Sequence, residues 1–237
     1  MVSNYWLIIL ILAVGAWLSV KTRKLTGVAG LTGFIVGMLI FAGAGYTGIA
    51  MLGTFFLFGT AATSWGMSRK QRLGLAEKNK GRRTAGQVIA NAGVAAVLGL
   101  LVVALPAPAD VFKLMMAASL ASATADTLSS ELGNVYGKKF YNIVTFKRDT
   151  RGLDGVVSIE GTLIGITGSL CIALVYAIGY GFNIQLLLII IAGTIGNLFD
   201  SILGATLERK RYLNNNAVNF SNTAMAAVAM LVFYLLT

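Results

Sequence analysis

The stretch K-N-K-G-R-R-T-A-G-Q-V-I-A-N-A-G-V-A-A-V-L-G-L-L-V-V-A-L, residues 78–105, decides the fold. Its first ten residues hold four cations, Lys78, Lys80, Arg82 and Arg83, whereas the following Val88–Leu105 holds no charge. An apolar helix of that length, at about 1.5 Å per residue, comes close to crossing roughly 30 Å of hydrocarbon. The junction between the two halves therefore reads as a membrane surface.

The same alternation runs through all 237 residues, which are 57% hydrophobic and 12% charged, with a mean hydropathy of +0.78. A soluble domain carries about a quarter charged residues, so a soluble globule is excluded. The apolar runs give about eight spans: Tyr5–Val20, Val28–Gly45, Thr47–Trp65, Val88–Leu105, Val111–Leu128, Gly161–Gly179, Ile184–Leu203 and Phe220–Leu236. The expected fold is an all-α, polytopic membrane protein, a single integral-membrane domain over 1–237.

Orientation follows from Lys and Arg, which concentrate in cytoplasmic loops. Eighteen of the nineteen fall after the first, third, fifth and seventh spans, while Lys113 is the exception. The opposite turns, Gly43–Gly48, Pro106–Asp110 and Gly179–Asn183, are short and nearly uncharged. Eight helices with both termini outside the cytoplasm are expected. The first span is followed by its charges (Lys21, Arg23, Lys24), which fits an uncleaved anchor, with the mature chain starting near Met1. A compact chain without a transit segment suits a prokaryotic plasma membrane.

Composition narrows the chemistry. Histidine is absent and Cys171 is the single cysteine, so a Cys/His zinc site, a His-based triad and a disulfide framework are excluded. The net charge of +10 favours lipid headgroups or a phosphorylated substrate, and so apolar a chain argues against nucleic acid. The twenty-eight glycines include Gly33/Gly37 and Gly161/Gly165, whose spacing lets membrane helices pack closely and is compatible with a homodimer. Gly43–Gly48 matches G-x-G-x-x-G by chance, since no strand precedes it, and Gly133–Lys139 falls short of a Walker A loop.

Eight of the nine acids lie on the basic side: Glu77, Asp126, Glu131, Asp149, Asp154, Glu160, Asp200 and Glu208. Helical spacing groups Thr84, Gln87 and Asn91; Ser119, Ser122, Asp126, Ser129 and Ser130; Asn197, Asp200, Ser201 and Gly204; and Asn219, Asn222 and Thr223. These four stripes converge on a half-buried polar cavity at the cytoplasmic ends of their helices. Glu131 is about 140° round the helix from Asp126 and faces that cavity only if the helix breaks near Gly133. Carboxylates there would hold a hard divalent cation, and Lys/Arg clamps would neutralise a transferring phosphoryl group. The 78–87 loop, with its glycines directly before a helix, suits an anion.

At these residues the chain resembles the integral-membrane family that includes plant phytyl-phosphate kinase and animal transmembrane protein nineteen. The resemblance rests on residues 78–93, A-S-A-T-A-D-T-L-S-S-E-L-G (121–133), G-L-D-G-V-V-S-I-E-G-T-L-I-G (152–165), G-N-L-F-D-S-I-L-G-A-T-L-E (196–208) and N-N-A-V-N-F-S-N-T (215–223). These mark a motif-bearing core over 78–223. A more distant similarity reaches CTP-dependent polyprenol kinases and CDP-diacylglycerol synthases through Asp126-Thr127, Gly137-Lys138 and Ser158-Ile159-Glu160-Gly161-Thr162. The chain departs from the synthases with Asn197 for their Asp, Asp200 for their Glu, and Val156-Val157 for their paired lysines.

The resemblance implies transfer of the terminal phosphoryl of a nucleoside triphosphate, CTP, to an isoprenoid monophosphate such as phytyl or geranylgeranyl phosphate. It implies Mg²⁺ on Asp126, Glu131 and Asp200, phosphates on Lys80, Arg82, Arg83 and Lys138, and Glu160 positioning metal or nucleotide. Gln87, Asn91, Ser158, Asn197, Asn219 and Asn222 complete the expected substrate and nucleotide contacts. A nucleotidyl transferase on a lipid phosphate is the alternative enzyme. A lipid or isoprenoid-phosphate transporter is the alternative outside enzymes, against which the outer turns offer almost no polar lining.

Overall fold

The computed structural model describes residues 3–75 and 81–236. The described residues form eight α-helices: α1 Ser3–Lys21, α2 Gly27–Ser64, α3 Met67–Arg72, α4 Ala85–Ala104, α5 Ala109–Tyr136, α6 Ile159–Tyr180, α7 Ile184–Leu203 and α8 Asn215–Leu236. A hairpin of two-residue strands, β1 Tyr141–Asn142 and β2 Val156–Val157, lies between α5 and α6, and a π-helical segment, Gly204–Glu208, prolongs α7. The chain is an all-α polytopic membrane protein. Among the described residues five helices are long and apolar enough to cross a bilayer: α2, α4, α6, α7 with its π extension, and α8. α1 is a shorter apolar helix, and α5 is long but more polar.

α2 does not run straight. Its 38 residues would reach about 57 Å as one rod, yet Gly45 adopts φ 57° and ψ −148°, outside the helical region. Only glycine takes that conformation without steric cost. The segment just before α2 meets the end of α2, where Lys24 Nζ donates to Ser64 Oγ at 3.0 Å. The turn expected over Gly43–Gly48 is thus one residue long. Gly43 lies against the backbone of Gly99 on α4, so the G-x-G-x-x-G match belongs to helix packing.

α5 is the central post, packed against α2, α4, α6, α7 and α8. Every residue from Met116 to Ala125 is buried, and most are Ala, Ser or Thr, which let neighbouring backbones approach from all sides. Gly161 and Gly165 of α6 meet Gly133, Ser129 and Ala125 of α5, so the spacing that suggested close packing is used for it. α5 continues without a break through Gly133 to Tyr136. That continuity decides where Glu131 points.

Candidate active site

A cavity of about 180 Å³ opens where α5, α7 and α8 meet the start of α6. From α5 it takes Asp126, Ser129 and Ser130; from α7 and its π extension, Asn197, Asp200 and Glu208; from α8, Asn215 and Asn219. The turn before β2 adds Asp154, and Ser158 and Thr162 close the α6 side. Ser158 also accepts the Gly161 N–H as N-cap of α6, which fixes that wall.

The acids are held by a hydrogen-bonded frame. Asn222 Nδ2 donates to Asp200 Oδ2 at 2.6 Å, and Ser122 Oγ donates to Asn222 Oδ1 at 3.1 Å, tying α8 and α5 to α7. Ser129 Oγ donates to Asn197 Oδ1 at 3.1 Å. Across this frame the Asp126 and Asp200 carboxyl groups are in contact, and Asp154 and Glu208 lie within Coulombic range of Asp200 or each other. Two carboxylates meeting in a half-buried site repel unless a cation or a proton comes between them.

The π segment brings Glu208 to the cavity. Adding a residue to the turn rotates the chain relative to an α-helix, and such segments recur at functional sites. Gly155, at φ 70°, packs directly on Ala205 of that segment, leaving no room for a side chain. Arg209 then staples the same loop down: its Nε donates to the Asp154 carbonyl at 2.5 Å and its Nη2 pairs with Asp149 at 2.9 Å. The Thr150 backbone N–H first, and Arg209 second, hold the Asp149 carboxyl below the usual carboxylate range.

The structure separates the expected site residues. Asp126, Ser158, Asn197, Asp200 and Asn219 line the cavity, with Asn222 directly behind Asp200. Glu131 does not line it: because α5 stays helical, its carboxylate turns to Lys70 Nζ at 2.6 Å. Lys70 is 2% exposed and also donates to the Ala62 and Thr63 carbonyls, capping the end of α2. Glu160 sits in the first turn of α6, where its carboxylate accepts the Lys138 backbone N–H at 3.4 Å, and the Lys138 side chain is exposed.

The α4 stripe faces elsewhere. Gln87 completes a capping box with Thr84, and Asn91 donates to the Gln87 carbonyl while its Oδ1 is buried without a partner. Arg82 Nε donates to the Leu25 carbonyl, and Arg83 lies over the Phe55 and Phe56 rings at 5.1 and 5.9 Å. Lys80 lies outside the described residues. Asp154 and Glu208 are the cavity acids that helical spacing did not single out. The glycine after Asp154 and the position of Glu208 eight residues beyond Asp200 were the available signals.

Among the described residues no Lys or Arg lines this cavity, in a chain of net charge +10. No three carboxylates converge closely enough among them to chelate an ion unaided. The Asp126–Asp200 pair with hydroxyl and amide oxygens nonetheless fits Mg²⁺, which is commonly held by one or two carboxylates plus substrate phosphates. What this defines is a polytopic membrane protein with an acidic, oxygen-lined cavity at the loop-rich ends of its helices.

The family model for integral membrane protein DUF92 matches residues 9–227, and the chain belongs to that family. Protein VTE6, chloroplastic, of Arabidopsis thaliana is 34% identical over 231 residues, covering 94% of this chain and 69% of that protein. An uncharacterized membrane protein of Synechocystis is 34% identical over 200 residues, covering 82% and 76% respectively. One of Methanocaldococcus jannaschii is 32% identical over 232 residues, covering 95% and 92%. No solved structure matches the chain.

Proposed function

We propose that the chain is a prenyl-phosphate kinase, moving the terminal phosphoryl of CTP to an isoprenoid monophosphate such as phytyl or geranylgeranyl phosphate. The observation that carries this reading is the Asp126–Asp200 contact in a cavity that no Lys or Arg lines among the described residues. Such a cavity admits a triphosphate only together with a metal ion, and phosphoryl transfer needs positioning and charge neutralisation more than a protein nucleophile. Four of the five stretches shared with the phytyl-phosphate kinase family contribute to the cavity wall, through Asp126, Ser158, Asn197, Asp200, Glu208 and Asn219, whereas 78–93 lies outside it.

In this reading Asp126 and Asp200 hold Mg²⁺, which when bound would neutralise charge on the transferring phosphates. Asn222 fixes the Asp200 carboxylate, while Ser129 and Asn197 hold the facing wall. The acceptor phosphate is already nucleophilic near neutral pH, so the protein has only to orient it. Lys138 follows Gly137, which packs on Ser158, and so supplies a phosphate contact beside the cavity. Glu131, paired with Lys70, has no part in this metal pair, and Asp154 and Glu208 stand at the cavity rim.

The same reading takes α2 as two crossings folded at Gly45, giving eight crossings with both termini outside. The basic loops and the cavity then face the cytoplasm of a prokaryotic plasma membrane. The test uses detergent-purified protein, Mg²⁺, geranylgeranyl monophosphate and CTP or ATP labelled at the α or γ position. γ-label in a lipid diphosphate is expected with CTP. α-label in lipid with pyrophosphate release would make the protein a nucleotidyl transferase, and no label in lipid would favour a transporter.

A further inference from the structure

A second cavity, of about 440 Å³, lies between α1, both halves of α2 and the start of α4. Its walls are apolar, with Leu12, Phe34, Leu52 and Val88 among them, and among the described residues Arg83 is the charged one in its lining. The exposed Ile11, Leu18 and Leu57 stand at its margin, where a bilayer would lie. Three of its glycines, Gly15, Gly33 and Gly53, face open space: a Cβ on any of them would meet nothing within 4 Å. Helix-packing glycines of this chain, such as Gly37 against Leu12 or Gly99 against Leu39, are in close contact instead. Gly33 and Gly53 reach one cavity only because α2 folds back at Gly45.

Resting on the kinase reading, we infer that this groove takes the isoprenoid chain of the acceptor, with Arg83 receiving its phosphate. The groove is apolar along its length and cationic at one place, which matches an aliphatic chain carrying a single anionic head. The cationic end also abuts the helix that carries Asp126. Arg83 and Thr127 both crowd Gly59 of α2, and Thr127 is the residue after Asp126 on α5. An acceptor phosphate on Arg83 lies against the helix that carries Asp126, while its chain runs away between α1 and α4 and enters sideways from the membrane. Phe55 and Phe56, stacked with the guanidinium, keep that end dry and hold Arg83 in place.

The test measures binding of geranylgeranyl monophosphate to detergent-purified protein, separately from transfer. Gly33→Phe and Gly53→Phe fill the groove from positions with open space, and each should weaken binding on the order of tenfold or more. Transfer to dimethylallyl monophosphate, too short to need the groove, should stay within about twofold of the native protein. Arg83→Gln should weaken geranylgeranyl monophosphate but not geranylgeraniol, which lacks the phosphate. Unchanged long-chain binding in both filled variants overturns the inference, and transfer by the native protein would leave the kinase reading standing. Competition by phosphatidylglycerol at equal affinity also overturns it, making the groove a seat for bulk lipid. Loss of binding on filling, with no transfer by the native protein to either acceptor, upholds the groove and removes the kinase.

Discussion

The cavity among α5, α7 and α8 and the groove among α1, α2 and α4 are built from small residues in opposite ways. Around the cavity, the space beside each glycine is taken by neighbouring backbone or polar side chains: Gly161 by Gly133, Gly165 by Ala125 and Asn197, Gly196 by Ser122 and Asn222. The helices close up, and the polar groups left at their ends are fastened through Asn222, Ser129 and Arg209. Around the groove, Gly15, Gly33 and Gly53 are left empty and the helices stand apart. Small residues remove distance in one place and leave volume in the other. The result is a rigid, charged site beside an apolar trough, with α5 and the Arg83 turn between them.

The largest effect is expected at the cavity acids. Asp126→Asn or Asp200→Asn removes half of the proposed metal pair, and transfer should fall about a hundredfold or more while the variants fold and still bind geranylgeranyl monophosphate. Full activity in either would take the cavity out of the chemistry. Lys70→Met probes a charge that is structural: it leaves Glu131 without its partner inside the protein, which costs about 3–5 kcal/mol where such pairs are buried. A marked drop in the detergent unfolding temperature is expected, and Lys70→Met combined with Glu131→Leu should recover part of it. If Glu131→Gln instead abolished transfer without loss of stability, Glu131 would return to the metal site.

A finer probe acts at the seam between the two regions. Gly59→Ala puts a methyl group where Arg83 Nη2 lies, and a flexible side chain end can move aside, so the fold should survive. The KM for the isoprenoid phosphate should rise by about tenfold, with that for the nucleotide unchanged. An equal rise in both would mean that the groove and cavity are not separate subsites.

The smallest effect concerns the loop stapled by Arg209. The Asp149 carboxyl is held below its ordinary value of 3.8, so its contribution is complete above that value and is lost as the pH falls through the lowered one. Amide exchange over 141–157, taken relative to the intrinsic rate at each pH, should therefore be slow at pH 6 and quicken in strong acid. Arg209→Ala should quicken it already near neutrality, and exchange indifferent to both would show that Gly155 packing alone holds the loop.

Much of the framework was legible because hydropathy and charge are local. Val88–Leu105 and the cations before it marked a membrane boundary without any partner, and α4 lies there, beginning three residues earlier because Thr84 and Gln87 form its capping box. Asp126, Asp200 and Asn222 were legible as polar residues at helical spacing in apolar surroundings, where they are too costly to leave unpaired. Glu131 was not. Its direction hung on whether α5 broke at Gly133, and the helix continues because Gly133 is packed on Gly161, a contact far away in sequence.

The solvent, the helical class, the basic loops and the acids near them in the chain could all be read from the amino-acid order, since each follows from one segment's own composition. Packing between helices set the rest: the pairing of Glu131 with Lys70, the arrival of Asp154 and Glu208 beside Asp200, and the fold of α2 that opens the groove. Those outcomes depend on the rotation of each helix about its axis and on how near its neighbours come. Both are set by contacts between glycines and small side chains on different helices, which no single segment contains.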